Sequence, residues 1–152
     1  MSIRKAARGD SPQLKEVKPG LEDGRINDRL KAQENGKAEF LIIESDNQIV
    51  SFVYLKYFGK VTHPDYPDME DLFTKESERG KGYGTALIKE CEKLSHVKGF
   101  KKIGLAVNPT ENLHAKQLYE HLGYRHDGKQ SYVDGVYNGV EDRCIDLEKS
   151  LV

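Results

Sequence analysis

Residues 78–88 read ERGKGYGTALI: three glycines at alternate positions, a basic residue on each side of the first, then an apolar run. A helix start leaves its first amides without partners, and the helix dipole adds partial positive charge there. Glycine removes the Cβ from such a turn, so phosphate oxygens could approach those amides closely. Arg79 and Lys81 would add charge at the mouth. Two familiar motifs fail letter by letter. The dinucleotide fingerprint GxGxxG needs a glycine at Thr85 or Leu87, and the P-loop needs Ser or Thr after a Gly-Lys pair. What remains is Arg79-x-x-Gly82-x-Gly84 with a further Gly80, which alone fits either a phosphate cradle or a bare turn.

Elements must position that stretch. Ile3 to Ala6 reads as a short strand, and Asp10-Ser11-Pro12 as a helix start with Leu14 and Val17 as its apolar contacts. The charged stretch from Gly20 to Gly36 carries Leu21, Ile26 and Leu30 at loose helical spacing. Glu39–Glu44 and Gln48–Tyr57 read as strands joined across Ser45-Asp46-Asn47, and about Met69 to Thr74 as a fourth strand. From Gly82 to Val97, Leu87, Ile88, Cys91 and Leu94 form one apolar helical stripe. A fifth strand (Ile103, Leu105, Val107) precedes a second amphipathic helix from about Glu111 to Leu122, with Ala115, Leu118, Tyr119 and Leu122 as its stripe. Turn signals at Asp134-Gly135 and Asn138-Gly139 precede a last strand, about Asp142 to Leu147. Strands alternating with single helices predict an α/β layer packing with a central strand-helix-strand-helix-strand unit.

Composition bounds the function classes. The 152 residues predict one domain, 1–152, with a single packed core. Lys and Arg total 24 and Asp and Glu 25, a net charge of −1 that gives no global pull toward nucleic acid or an anionic membrane. Any anion site must be local. The longest apolar run, Phe40 to Ile43, is too short to span a bilayer, and the first residues carry no apolar signal segment. Cys91 and Cys144 have no metal-ligand spacing, which fits reduced thiols in a cytoplasmic protein. His114 and His121 lie on the polar side of one helix and read as surface, so no metal site is expected.

RxxGxG between a strand and a helix resembles the pyrophosphate-binding motif of the GNAT superfamily of N-acetyltransferases. A second family signature, N-x-x-A-x-x-x-Y closed by G-F/Y, matches Asn112, Ala115, Tyr119, Gly123 and Tyr124. The resemblance covers about residues 40–152, and the tail resembles the family's last two strands. There are two departures. Glu76-Ser77-Glu78 stand where the family often has Pro-x-Tyr, and the link from Val107 to Asn112 is one residue longer than usual. Two acids beside a phosphate site are unfavourable unless they turn to solvent.

The resemblance implies a GNAT-like α/β fold with a mixed, mostly antiparallel sheet and a central β-α-β-α-β unit that binds acetyl-CoA as cosubstrate. It implies cofactor contacts from Leu72, Phe73 and Thr74 on the fourth strand, from Arg79, Gly80, Lys81, Gly82, Tyr83, Gly84 and Thr85 in the turn, and from Asn112 and Tyr119. In this family the fourth strand splays from the fifth, and an amide at Phe73 or Thr74 could receive the oxyanion. The implied activity is transfer of an acetyl group, by direct attack on the thioester, to a primary amine of a small molecule or peptide or to an exposed protein amine. A non-catalytic acyl-CoA-binding module is the alternative, and a homodimer is compatible with either.

An amine of pKa about 10 is less than ~0.1% neutral at pH 7, so a base must help. Glu70 is the first candidate and Asp71 the second; strand alternation would put them on opposite faces. The other reading makes Asp65, Asp68, Glu70 and Asp71 a solvated acidic edge. Tyr119, on a core stripe, reads as packing from its position alone; the resemblance makes it the acid that protonates the departing sulfur. Asn112 reads as a helix cap or, by resemblance, a cofactor contact. The acids at 65–71 hint at a cationic acceptor held by segments 20–36, 59–68 and 128–138.

Overall fold

A strand as apolar as residues 49–55 needs cover on both faces. The computed structural model describes residues 1–151. In chain order they form β1 (Ser2–Lys5), α1 (Ser11–Val17), α2 (Asp23–Glu34), β2 (Ala38–Ser45), β3 (Gln48–Lys56), β4 (Asp68–Thr74), α3 (Tyr83–Val97), β5 (Lys102–Val107), α4 (Leu113–His121), β6 (Arg125–His126), β7 (Tyr132–Tyr137) and β8 (Val140–Ser150). The sheet runs β1-β2-β3-β4-β5-β8-β6, and β7 pairs the first half of β8. β4 and β5 pair in parallel, and the other described pairs are antiparallel. This is the α/β layering that the strand and helix pattern predicts, with the mixed, mostly antiparallel sheet that the resemblance implies.

Period-two alternation sorts the core. Leu41 and Ile43 of β2 join Leu87, Ile88 and Cys91 of α3, with Ala115 and Tyr119 of α4 packed against them. Phe40 and Ile42 point the other way, onto Leu14 and Val17 of α1 and Ile26 and Leu30 of α2. Each fully buried aliphatic side chain contributes about 1.5–3 kcal/mol, which holds the helix pairs on opposite faces.

Boundaries differ from the sequence reading where side chains intervene. The carboxamide oxygen of Asn108 accepts the amides of Thr110 (3.1 Å) and Glu111 (3.0 Å). That local turn delays α4 until Leu113. Asn138-Gly139 does form the β7–β8 turn, both residues having positive φ (53° and 77°). Asp134-Gly135, expected as a turn, instead lies inside β7, where the register shifts between Val133 and Gly135. A Cβ on Gly135 would stand 2.8 Å from the Tyr137 hydroxyl, so the glycine makes room for a neighbouring ring. The last strand extends beyond Asp142–Leu147 at both ends, because β8 pairs with β7 first and β5 second.

The decisive irregularity lies in β4. Its parallel pairing with β5 is confined to Asp68 opposite Gly104 and Met69 opposite Leu105, after which the strands separate. On its other side Tyr54 faces Glu70 and Phe52 faces Phe73, so Val53 alone faces both Asp71 and Leu72. This is a β-bulge, and Asp71 takes the left-handed conformation it requires (φ 56°). The bulge overturns the expected alternation of Glu70 and Asp71.

Candidate active site

A cavity of about 540 Å³ opens where β4 leaves β5. Its wall runs from Leu72, Phe73 and Thr74 across the glycine turn to the start of α4. Gly80 and Gly82 both hold positive φ (81° and 85°), and a Cβ on either would meet nothing within 4 Å. The glycines are therefore required for backbone conformation rather than for space. Gly82 caps α3, its carbonyl accepting the amide of Ala86 at 3.1 Å. The amides of the first helical turn are left to whatever occupies the cavity. Arg79 is fixed by its Nε bond to the Thr74 carbonyl (3.1 Å), with its guanidinium 5.2 Å from the Phe73 ring centre.

The cavity brings together Leu72, Phe73, Thr74, Arg79, Gly80, Gly82, Tyr83, Gly84, Thr85 and Asn112 from the expected set. Lys81 is not among its lining residues. Its ammonium is drawn 2.5 Å from Glu78, which does border the cavity. One of the two acids noted in the sequence is thus neutralised by its neighbour. Asn112 borders the cavity with its side chain free of any cap bond. His114, expected at the surface, is exposed but also borders the cavity, together with Ala115 and Leu118. The i, i+3 spacing of Ala115 and Leu118 on the apolar stripe carried that signal, since a stripe can face a cleft as well as a core.

Tyr119 does not line this cavity. It packs on the core beneath α4, edge-on to Tyr124 at 6.5 Å between ring centres. Burial pushes its phenol above the usual tyrosine range, so it stays protonated at neutral pH. Tyr124, by contrast, donates its hydroxyl to Glu92 at 2.7 Å.

A second cleft, about 510 Å³, flanks the bulge. It is bounded by the α1–α2 link, Arg25, Glu70, Asp71, and Asp134 and Tyr137 of β7. Both carboxylates of the bulge border this one cleft. Of the segments expected to hold an acceptor, 20–36 and 128–138 contribute, whereas 59–68 does not. That loop folds back on itself: a Cβ on Gly59 would stand 2.2 Å from the His63 carbonyl oxygen.

The acids before the glycine turn are not a solvated edge. Asp65 is exposed, but Asp68 is buried against His63 Nε2 (3.0 Å) and Lys56 (3.6 Å). Burial opposes charge on His63, but the Asp68 carboxylate overrides this and holds the ring's proton above its usual range. Asp71 lies 2.5 Å from Lys18 Nζ and 3.0 Å from Arg29 Nη2. Burial raises its pKa, but these two cations win and hold it below the usual carboxylate range. Glu70, less buried, is 3.2 Å from Lys56 Nζ and 3.8 Å from Arg29 Nη2.

Cys91 is buried in the core, and burial pushes its thiol far up. Cys144 is buried too, pushed up to about 12, and lies near Asp134 and Asp142. Those carboxylates already bind Lys60 (2.9 Å) and the Asn108 amide (2.8 Å). No helix among the described residues is long and apolar enough to cross a membrane.

A glycine turn at a helix start, beside a strand that parts from its neighbour after two paired residues, is the framework of a mixed α/β fold with a cleft along the β4 edge. Residues 3–124 match the family model described as the acetyltransferase (GNAT) family, and the chain belongs to that family. Acetyl-CoA is the family's cosubstrate, and the cavity fits it by the glycine turn, Arg79 and the open flank of β4. Among solved structures, an N-acetyltransferase from Staphylococcus aureus is 17% identical, with 99% of this chain and 98% of that one covered at a TM-score of 0.80. A ribosomal-protein-alanine N-acetyltransferase from Brucella melitensis is 15% identical, with 99% of each chain covered at 0.81. A phosphinothricin acetyltransferase from Sinorhizobium meliloti, in complex with acetyl-CoA, is 15% identical, with 98% and 87% covered at 0.78. At these identities the likeness is one of fold. No curated protein matches the chain.

Proposed function

We propose that this acetyltransferase moves the acetyl group of acetyl-CoA to a primary amine by direct attack of the amine on the thioester. One observation carries the reading: the free flank of β4 separates a cavity with helix-start amides from a cleft with Glu70 at its edge. When bound, acetyl-CoA supplies an acyl group activated as a thioester. The amides at 80–85 and the Arg79 guanidinium grip its diphosphate, and Asn112 and the Leu72–Thr74 backbone steady the remainder. Glu70 accepts the amine's proton as the C–N bond forms. An amide at Phe73 or Thr74 donates to the carbonyl oxygen as it gains charge. As the C–S bond breaks, the sulfur takes a proton, and the donor assigned here is the Tyr119 hydroxyl, on the same α4 stripe as the cavity-lining Ala115 and Leu118 although its ring packs below the cavity wall. Its protonated state and the absence of a hydrogen-bond partner among the described residues support that role.

The acceptor cleft also bears on substrate class. Asp71, Glu70 and Asp134 each sit on a lysine or arginine, which leaves Glu22 as the one cleft carboxylate without an ion-pair partner among the described residues, fewer free acids than the trap a polyamine would need. Arg25 borders the cleft with no ion-pair partner among the described residues, one turn before Arg29 on the same face of α2. We therefore read the acceptor as a primary amine that also bears a carboxylate.

Two measurements decide between the enzyme and a silent acyl-CoA-binding module. Acetyl-CoA titration is expected to show saturable binding, and an amine panel is expected to release free thiol. Tyr119→Phe is expected to lower turnover about 10²-fold with acetyl-CoA affinity unchanged. Undiminished turnover removes the acid role, and binding without thiol release from any amine favours the module.

A further inference from the structure

Asp71 is a non-glycine residue held at φ 56° inside a strand, a conformation that costs an L-residue free energy and persists only where its surroundings impose it. Two cations from separate elements meet its carboxylate here. Lys18 reaches Asp71 from the α1–α2 link at 2.5 Å, and Arg29 reaches it from α2 at 3.0 Å. Arg29 is unusual in itself. Its side chain is 3% exposed, its guanidinium carbon sits 5.4 Å and 5.2 Å from the Phe40 and Tyr54 ring centres, and its Nη1 has no partner among the described residues. A buried guanidinium without a carboxylate would be strongly destabilising, so Arg29 and Asp71 depend on each other. The same Nη2 lies 3.8 Å from Glu70, one residue along the strand. Lys18 Nζ in turn lies 5.4 Å from the centre of the Phe73 ring, in the wall of the cofactor cavity.

We propose that Arg29 and Lys18 form a two-sided cationic clamp on Asp71 that sets the β4 bulge, and that Arg29 is thereby a positioning residue for the Glu70 carboxylate. The clamp ties acceptor-side helix α2 to the strand that lines both clefts. It fixes where β4 turns away from β5 and on which side of that turn Glu70 stands. The kinetic part rests on the transferase reading above; the structural part does not.

The first test is the unfolding midpoint of Asp71→Gly. Glycine adopts positive φ freely, so if backbone preference alone set the bulge, this variant would melt at or above the parent temperature. The clamp predicts the opposite: a fall of about 10 °C, because Arg29 is left buried without its carboxylate. Much of that loss should return in the double variant Arg29→Met/Asp71→Gly. A parent-like melt for Asp71→Gly, or additive losses in the double variant, overturns the clamp. The second test is kinetic, on folded Arg29→Met and Arg29→Lys with the best amine of the panel. Misplacing the base should lower kcat about 10²-fold in Arg29→Met, with acetyl-CoA affinity unchanged and partial rescue in Arg29→Lys. Parental kcat in a folded Arg29→Met overturns the positioning role. If the parent acetylates no amine, the transferase reading fails while the melting data still judge the clamp.

Discussion

Charge on single carboxylates makes this protein's stability depend on pH in a definite direction. Asp71 is held below the usual carboxylate range by Lys18 and Arg29 against the opposing effect of burial. Asp10 is held low chiefly by the Arg4 guanidinium, which bonds it at 2.8 Å and 3.0 Å. A group whose pKa is lower folded than unfolded stabilises the fold above its unfolded value, about 3.9 for aspartate. That contribution disappears as pH falls through the lowered folded value. Denaturant midpoints of the parent and Asp71→Asn should therefore differ most near neutral pH and converge below about pH 4. A difference that persists undiminished into acid would show that the Asp71 charge is not what stabilises the parent. His63 moves the other way: with its proton held by Asp68, its contribution is full below about pH 6.5 and fades as pH rises.

At the scale of elements, the turn from 79 to 84 is a conformational device. Gly82 at φ 85° has open space around it, so Gly82→Ala introduces no collision, only the cost of left-handed backbone, about 1–2 kcal/mol. The turn is expected to relax and misaim the first amides of α3. Acetyl-CoA affinity measured by titration should fall about tenfold or more, as 1.4 kcal/mol is a factor of ten. Unchanged affinity would mean those amides do not hold the diphosphate. The turn was legible because glycine and flanking charge are local signals, and α3 was legible because Leu87, Ile88 and Cys91 repeat at helical spacing. The bulge was not legible. It arises from Asp71 meeting Lys18 and Arg29, residues 53 and 42 positions away, and no local pattern encodes that meeting. Asp134-Gly135 misled for a related reason: its glycine serves the Tyr137 ring within a strand rather than a chain reversal.

Over the whole molecule, strands alternating with single helices foretold the α/β layering, and the near-zero net charge required any anion site to be local. The acceptor cleft was only partly foreseen, because it joins 18–25, 70–71 and 134–137, segments that only the folded sheet brings together. Its chemistry also differs from the sequence hint. The acids near 70 are largely neutralised, and Arg25 presents charge of the opposite sign. An α-amino acid should accordingly be a better acceptor than its carboxamide, and Arg25→Gln should erase that preference while sparing the carboxamide. Equal kcat/KM for the pair in the parent would count against a carboxylate contact.

The brief pairing of β4 with β5 has one more implication. A sheet interrupted after two rungs leaves peptide groups of β4 facing an open slot where a neighbouring strand would ordinarily lie. An amide-bearing arm laid in that slot would act as a borrowed strand, so binding would finish a sheet that β4 and β5 leave incomplete.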